Sequence, residues 1–343
     1  MKKEGFHPLA YLGFFGATLV TLTLCVCAGS VALPPLDTLQ VIGKAILGLP
    51  QEGANVAIIL SVRLPRVLCV ALTGAALALC GGVMQGLLRN PLADGSTLGV
   101  SAGASLGAVI AIALSISFPF LQLAGTMVMA IGGAILSLAV ILSLSYKLDR
   151  SFSTHTIILI GIIYGMFISG ILSLLIAFAG EKLRTITYWT MGSLQGSTYT
   201  NALVLLIALI IFGTVMLLQA QELNAFSVGE SNARSVGVNV RRVRLSILIS
   251  ASVLIGVCVS IGGSIGFVGL VTPHIVRLLT GPNHKKLLPA TVFGGAIFLM
   301  LCDLAARVIV RPVELPIGVV TSLIGAVVFT VILLRGRKGT AHA

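Results

Sequence analysis

Asp303 and Arg307 stand four residues apart, just after a long uncharged run, so on a helix an acid and a base share one face and can pair. A charge at the centre of a bilayer-spanning helix costs about 2.5–3.5 kcal/mol on insertion scales, so such a pair is kept for a local ion pair near a boundary or for function. Arg63-Leu64-Pro65-Arg66 sets two guanidiniums around a proline. Pro65 suits the first position of a helix, where its missing N–H is harmless, and the motif is expected to open a span with both arginines at a surface. There they could bind carboxylates of a docking protein in bidentate fashion or snorkel to lipid phosphate. The segment Gln85 to Asp94 contains Asn90-Pro91, which marks a turn. The apolar Leu92 in that turn needs something to pack on, either a gate or a partner. Between Gly229 and Gly237 the residues Glu230, Ala233 and Arg234 belong to a short helix with small surface residues, suited to the groove of a partner or to a passive loop.

Other chemistry has little to work with. The chain has no G-x-x-x-x-G-K-[ST] phosphate loop, no G-x-S-x-G and no H-E-x-x-H. Its five histidines are scattered, without a second ligand at helical spacing, and only His274, beside Pro273, draws attention. Six cysteines show neither a disulfide framework nor a zinc spacing, so no metal site is expected. Apart from Asp303 the acids fall in loops or at span ends, which counts against a proton-coupled carrier.

The elements that must position these residues follow from composition. Of 343 residues, 57% are apolar and 9% charged, with mean hydropathy +1.09. A soluble domain carries about 25% charge, and a spanning helix needs about 20 apolar residues, so the chain reads as a polytopic membrane protein. The net charge of +12 resides in short loops rather than in a basic stripe interleaved with aromatics, which excludes nucleic acid as a partner. Uncharged stretches fall at 9–30, 67–88, 96–116, 118–145, 156–180, 198–219, 245–276, 287–302 and 315–334. The 245–276 stretch is too long for one crossing. Its Gly262, Gly263, Gly266 and Gly269 divide it into a helix to about 264 and a shorter one over 267–280, giving ten spans. Pro273 inside the shorter one requires neighbouring helices to satisfy the freed backbone.

With the N-terminus inside, fifteen of the 22 Lys and Arg fall in inner loops and seven in outer ones, which places both termini in the cytoplasm. The first run follows Lys2 and Lys3 and passes a weakly cleavable pattern at Val26-Cys27-Ala28, but it is longer than a signal core, so a retained span is expected. Gly99, Gly103 and Gly107, like Gly161 and Gly165, form G-x-x-x-G steps that let helix backbones approach closely. Gly74, Gly81 and Pro91 recur 182 residues later as Gly256, Gly263 and Pro273, a faint echo of the duplicated halves common in transporters.

Taken in order, RLPR at 63–66, GGVMQGLLRNPLADGSTLGVSAGA at 81–104, YWTMGSL at 188–194, GESNARSVG at 229–237, GSIGFVGLVTPHIVR at 263–277 and ELPIGVVTSLIGA at 314–326 resemble the permease subunits of the ABC importers for ferric siderophores, haem and cobalamin, the FecCD type. The resemblance runs from about residue 10 to 335. It implies an all-α integral membrane protein of about ten transmembrane helices with the type II ABC importer permease fold. The whole of 1–343 would be one permease domain in the cytoplasmic (inner) membrane, with a cytoplasmic coupling loop at about 220–243. It further implies a homodimer or a paralogous permease partner, two ATPase subunits, and an extracytoplasmic substrate-binding protein. No cofactor is expected on this chain, because ATP and Mg would be used by the partner ATPase. On the matching positions, Gly229, Glu230, Ala233, Arg234 and Gly237 would couple to the ATPase, and Arg63, Arg66 and Arg307 would dock the binding protein. Asn90, Leu92, Ser153 and Thr154 would narrow the cytoplasmic exit. Ser231-Asn232 departs from the small, often alanine-containing pair common after the glutamate. An iron–siderophore complex is the expected cargo, with haem or cobalamin as alternatives. A secondary transporter or a membrane enzyme is the reading from another class.

Overall fold

The computed structural model describes residues 8–29, 33–116, 125–150 and 153–340. His7 and His342 lie outside them, as does the start of the stretch expected at 118. The described residues form helices and connecting turns, with no strand among them. In chain order these are α1 (Pro8–Cys27), α2 (Pro35–Ile46), α3 (Ala54–Leu88), α4 (Val100–Ala113), α5 (Gly125–Leu148), α6 (Thr154–Ala177) and α7 (Leu183–Thr190). They continue as α8 (Tyr199–Leu218), α9 (Ala220–Val228), α10 (Glu230–Ser235), α11 (Val240–Gly262), α12 (Val268–Thr280), α13 (His284–Val308) and α14 (Ile317–Thr340). Seven of them are long and apolar enough to cross a membrane, and α4, α12 and the Ile317–Ile332 part of α14 are shorter apolar helices. Ten spans result. The break expected near 264 falls between α11 and α12, where Gly263 (φ +67°) and Phe267 (φ +66°) both turn left-handed.

α3 departs from expectation at its start. The helix does not open at Pro65 but runs back to Ala54 through a π-helical turn at Ile58–Arg63. That turn shifts the hydrogen-bond register, and the carbonyl a residue at 65 would reach in it, that of Leu60, instead accepts from the Tyr199 hydroxyl. Two other internal prolines are treated alike. Pro273 leaves the Gly269 carbonyl of α12 without its partner, and the Gln85 amide of α3 donates to it at 3.4 Å. Pro289 frees the Lys285 carbonyl of α13, which accepts a long 3.5 Å bond from Tyr11 of α1. Each helix break is therefore capped by a side chain from another span, as a chain in lipid requires.

Backbone contact packs the core. In lipid no hydrophobic effect draws helices together, so close approach and dispersion must do so. A Cβ on Gly81 would overlap the Gly269 carbonyl, one on Gly74 the Gly295 carbonyl, and one on Gly107 the Met129 carbonyl. Gly103 and Gly133 face each other across α4 and α5 in the same way. α3 is buried along most of its length and is pressed between α13, α12 and α11.

The chain between Arg89 and Gly99 turns back into the molecule rather than crossing its end. Gly95 packs on Ile255, well inside α11, and Gly99 on Gly161, about two turns into α6. α4 consequently starts at depth and runs towards the end that carries Arg63. α12 also starts at depth and runs to the other end, where His284 meets Gly86.

Candidate functional site

The two ends of the molecule gather the residues singled out by the sequence, and a wall at half depth lies between them. At one end, Arg63, Arg66 and Arg307 are buried, at 5%, 8% and 3% exposure, which corrects the expectation that they stand at the surface. Arg66 reaches Asp303 at 2.9 Å and Glu314 at 2.6 Å. Asp303, 1% exposed, also faces its helical neighbour Arg307 at 2.8 Å. Arg307 donates to the carbonyls of Cys25 and Ala28, each at 3.0 Å, and Arg63 to those of Val26 and Cys27 at 3.0 and 2.8 Å. The carbonyls are the unsatisfied last turn of α1, so two guanidiniums cap a helix C-terminus, where cations are stabilised. The Asp303–Arg307 pair expected from spacing is present. Its link through Arg66 to Glu314 is not readable from spacing, because it joins residues about 240 positions apart.

At half depth a largely apolar wall dotted with hydroxyls opens on a face that the chain's own helices leave uncovered. Two adjoining cavities of about 480 and 740 Å³ share Ser96, Thr190 and Ser264. Hydroxyls of Ser101, Ser105 and Ser169 line one, and Ser322 the other. Among the lining residues the one charged side chain is Asp94. Its Oδ1 accepts from the amides of Ser96 and Thr97, both at 2.9 Å, and from the Ser96 hydroxyl at 2.6 Å, which holds the re-entrant turn that leads into α4. The N-termini of α4 and α12 both lie near this wall, bringing the positive ends of two half-helices to it. None of these wall residues was picked out as a site beforehand. Scattered serines carry no spacing signal, and only the re-entry of 89–99 assembles them.

At the opposite end from the arginines, α10 is bounded by Gly229 (φ +130°) and Gly237 (φ +89°), conformations that favour glycine. Ala233 is buried at 1% and anchors the helix, while Ser231, Asn232, Arg234 and Ser235 are exposed. Val228 and Val236, each 72% exposed, flank them. Glu230 forms an ion pair with Arg244 at the start of α11. Next to α10, α9 ties the loop to the spans: the Asn224 Oδ1 accepts from the backbone N–H of His284 and faces its Nδ1, both at 2.9 Å. His284 is 4% exposed and packs on Gly86 of α3. His274, the histidine that stood out in the sequence, makes an edge-on contact with Phe329 and no polar bond that would mark a site.

The turn at Asn90 and the start of α6 lie at this same end. Asn90 Oδ1 accepts from the Leu92 N–H at 2.9 Å, and Leu92 itself is 47% exposed. Ser153 caps α6, its hydroxyl accepting from the Thr156 N–H at 3.3 Å, and Thr154 is buried at 7%.

Residues 17–335 match the family model of the FecCD transport family. The chain is 40% identical over 336 residues to the ABC transporter permease protein YvrB of Bacillus subtilis, across 96% of this chain and 94% of that one. It is 38% identical to the cobalamin import system permease protein BtuC of Halobacterium salinarum (94% and 85% covered) and 37% identical to the hemin transport system permease protein HmuU of Yersinia pestis (97% of each). A solved metal-chelate type ABC transporter in an inward-facing conformation superposes with a TM-score of 0.83 at 33% identity, over 96% of this chain and 100% of that one. Helix order, capped breaks and these matches agree: the chain is a multi-pass membrane protein that belongs to the FecCD transport family, the permease components of ABC importers, and has the type II importer permease fold.

Proposed function

We propose that this permease passes a metal chelate, with an iron–siderophore complex as first candidate, through a pathway completed by a second permease chain and driven by two ATPase subunits. One observation carries the reading: a mostly apolar wall at half depth, dotted with hydroxyls, open on the uncovered face and bearing Asp94 as its one charged side chain. Such a wall offers weak, replaceable hydrogen bonds to an oxygen-rich cargo and no ligand set that would retain it. Release, not capture, is its chemistry.

α10 is the proposed contact with the ATPase, through its exposed polar face and its two flanking valines. An extracytoplasmic binding protein would deliver cargo at the arginine end. Because Arg63, Arg66 and Arg307 face inward, they hold the shape of that end, and the exposed Arg311 and Lys44 supply its surface charge. The bends at Leu92 and Ser153 are the proposed inner narrowing, and both termini are placed in the cytoplasm by the charge distribution. The names of the BtuC and HmuU relatives favour a second reading, a corrinoid or haem.

The decisive experiment reconstitutes the permease with its ATPase and binding protein in liposomes. It compares ATP-driven uptake of a radio-iron-labelled ferric hydroxamate, cyanocobalamin and hemin. Preferential uptake of the ferric hydroxamate is expected. Uptake confined to the corrinoid or to hemin would overturn the cargo assignment, and uptake driven by a proton gradient without ATP would overturn the importer reading itself.

A further inference from the structure

At the end that carries α10, the helices α5, α10 and α11 enclose a cavity of about 430 Å³, and of its lining residues the transport reading uses Arg234 alone. Four guanidiniums line it, those of Arg150, Arg234, Arg241 and Arg244. The acids near it are Glu230, which pairs with Arg244, and Asp149, which accepts from the Ser153 amide and the Thr156 hydroxyl at 3.2 and 3.4 Å. Four cations against two anions leave the cavity formally positive. The rest of the lining is apolar, made by Leu142 of α5 and by Val240 and Leu245 of α11, with the ring of Tyr146 beside them. From Tyr146, 48% exposed, the same face of α5 continues apolar through Leu142, the exposed Ala139 and Ile135 (47%).

A cationic pocket that adjoins an apolar, outward-facing helix flank has the two-part character of a phospholipid. Arginine forks match phosphate oxygens bidentately, and basic pockets between spans recognise anionic headgroups. We infer that this cavity seats the phosphate headgroup of an anionic phospholipid from the leaflet at the α10 end, with its acyl chains lying along α5. The lipid then braces the coupling helix, because Arg234 belongs to α10 and Arg244 holds Glu230. A bare oxyanion would have no use for the apolar wall. An acidic protein segment would use the guanidiniums but not the flank of α5.

The test is native mass spectrometry of the full permease with its ATPase subunits. The complex is released from mild detergent and titrated with dioleoyl-phosphatidylglycerol, dioleoyl-phosphatidylcholine or inorganic phosphate. Retention of phosphatidylglycerol at least tenfold above phosphatidylcholine is expected, with at least a tenfold loss in the R150Q/R241Q double variant. Leu142→Trp, which fills the apolar wall without touching charge, is expected to reduce retention similarly and covers the case in which the double variant fails to assemble. Equal retention of the two lipids, or unchanged retention in either variant, overturns the proposal. Displacement of phosphatidylglycerol by an equal concentration of phosphate would make the cavity a plain anion site. Loss of the ATPase from R150Q/R241Q with lipid retention intact would make it a protein-docking surface. Either of these last results also overturns the inference.

Discussion

Asp303 is the residue on which the arginine end turns. It is 1% exposed and faces two guanidiniums, so its removal leaves buried positive charge with too little compensation. Breaking a buried pair by deleting one partner costs about 3–5 kcal/mol, whereas replacing both by apolar groups is often nearly neutral. Asp303→Asn is therefore expected to lower the thermal unfolding midpoint of the purified protein strongly. The D303L/R307M double replacement leaves Arg66 paired to Glu314 but strips the carbonyls of Cys25 and Ala28 of their donor, so it should cost at least as much as that single change. Equal midpoints for wild type and Asp303→Asn would show that the network holds nothing together. The four-residue spacing of Asp303 and Arg307 was enough to foresee their pairing. The inward turn of Arg63 and Arg66 was not, because a guanidinium's direction depends on which carbonyls and carboxylates distant helices bring to it. Here they are the last turn of α1, and Glu314 in the loop before α14.

Among the elements, α10 is too short to hold itself. Six residues lie below the length at which an isolated helix is stable, so its position depends on Ala233 beneath it and on the Glu230–Arg244 pair. A motion imposed on α10 passes to α11 through that pair, and to α13 and α3 through Asn224 and His284. Glu230→Arg sets two cations against each other and is expected to abolish ATP-driven uptake while ATP hydrolysis and membrane insertion persist. Adding Arg244→Glu restores opposite charges and should recover part of the uptake. If uptake survives Glu230→Arg, or the charge swap recovers nothing, the pair is not the link. The bounds of α10 were legible from Gly229 and Gly237, since both need backbone conformations that other residues resist. α9 and its Asn224 were not, because a lone amide in a loop has no pattern until the N-terminus of α13 is placed against it.

At the scale of the molecule, the number of spans and the division of 245–276 followed from apolar run length and glycine content. The re-entry of 89–99 did not, since its residues read as an ordinary turn and their depth is set by Gly95 and Gly99 packing on other helices. That re-entry builds a wall with a single charged residue, and this limits what the chain can do alone. To concentrate a solute a hundredfold costs about 2.8 kcal/mol at 25 °C, because each tenfold step is about 1.4 kcal/mol. A protein can meet that cost by hydrolysing a nucleotide or by running a coupling ion down its gradient. The sequence has no phosphate-binding loop. Along the half-depth wall Asp94 is already bonded to two amides and a hydroxyl, which leaves no relay of carboxylates for an ion to follow. Liposomes holding the purified permease alone should therefore equilibrate a ferric hydroxamate at most, even with an imposed proton gradient. Accumulation beyond equilibrium should appear only once the ATPase and ATP are present. Uphill uptake by the lone chain would mean that an energy-coupling site exists where the wall shows only apolar side chains, hydroxyls and one occupied carboxylate.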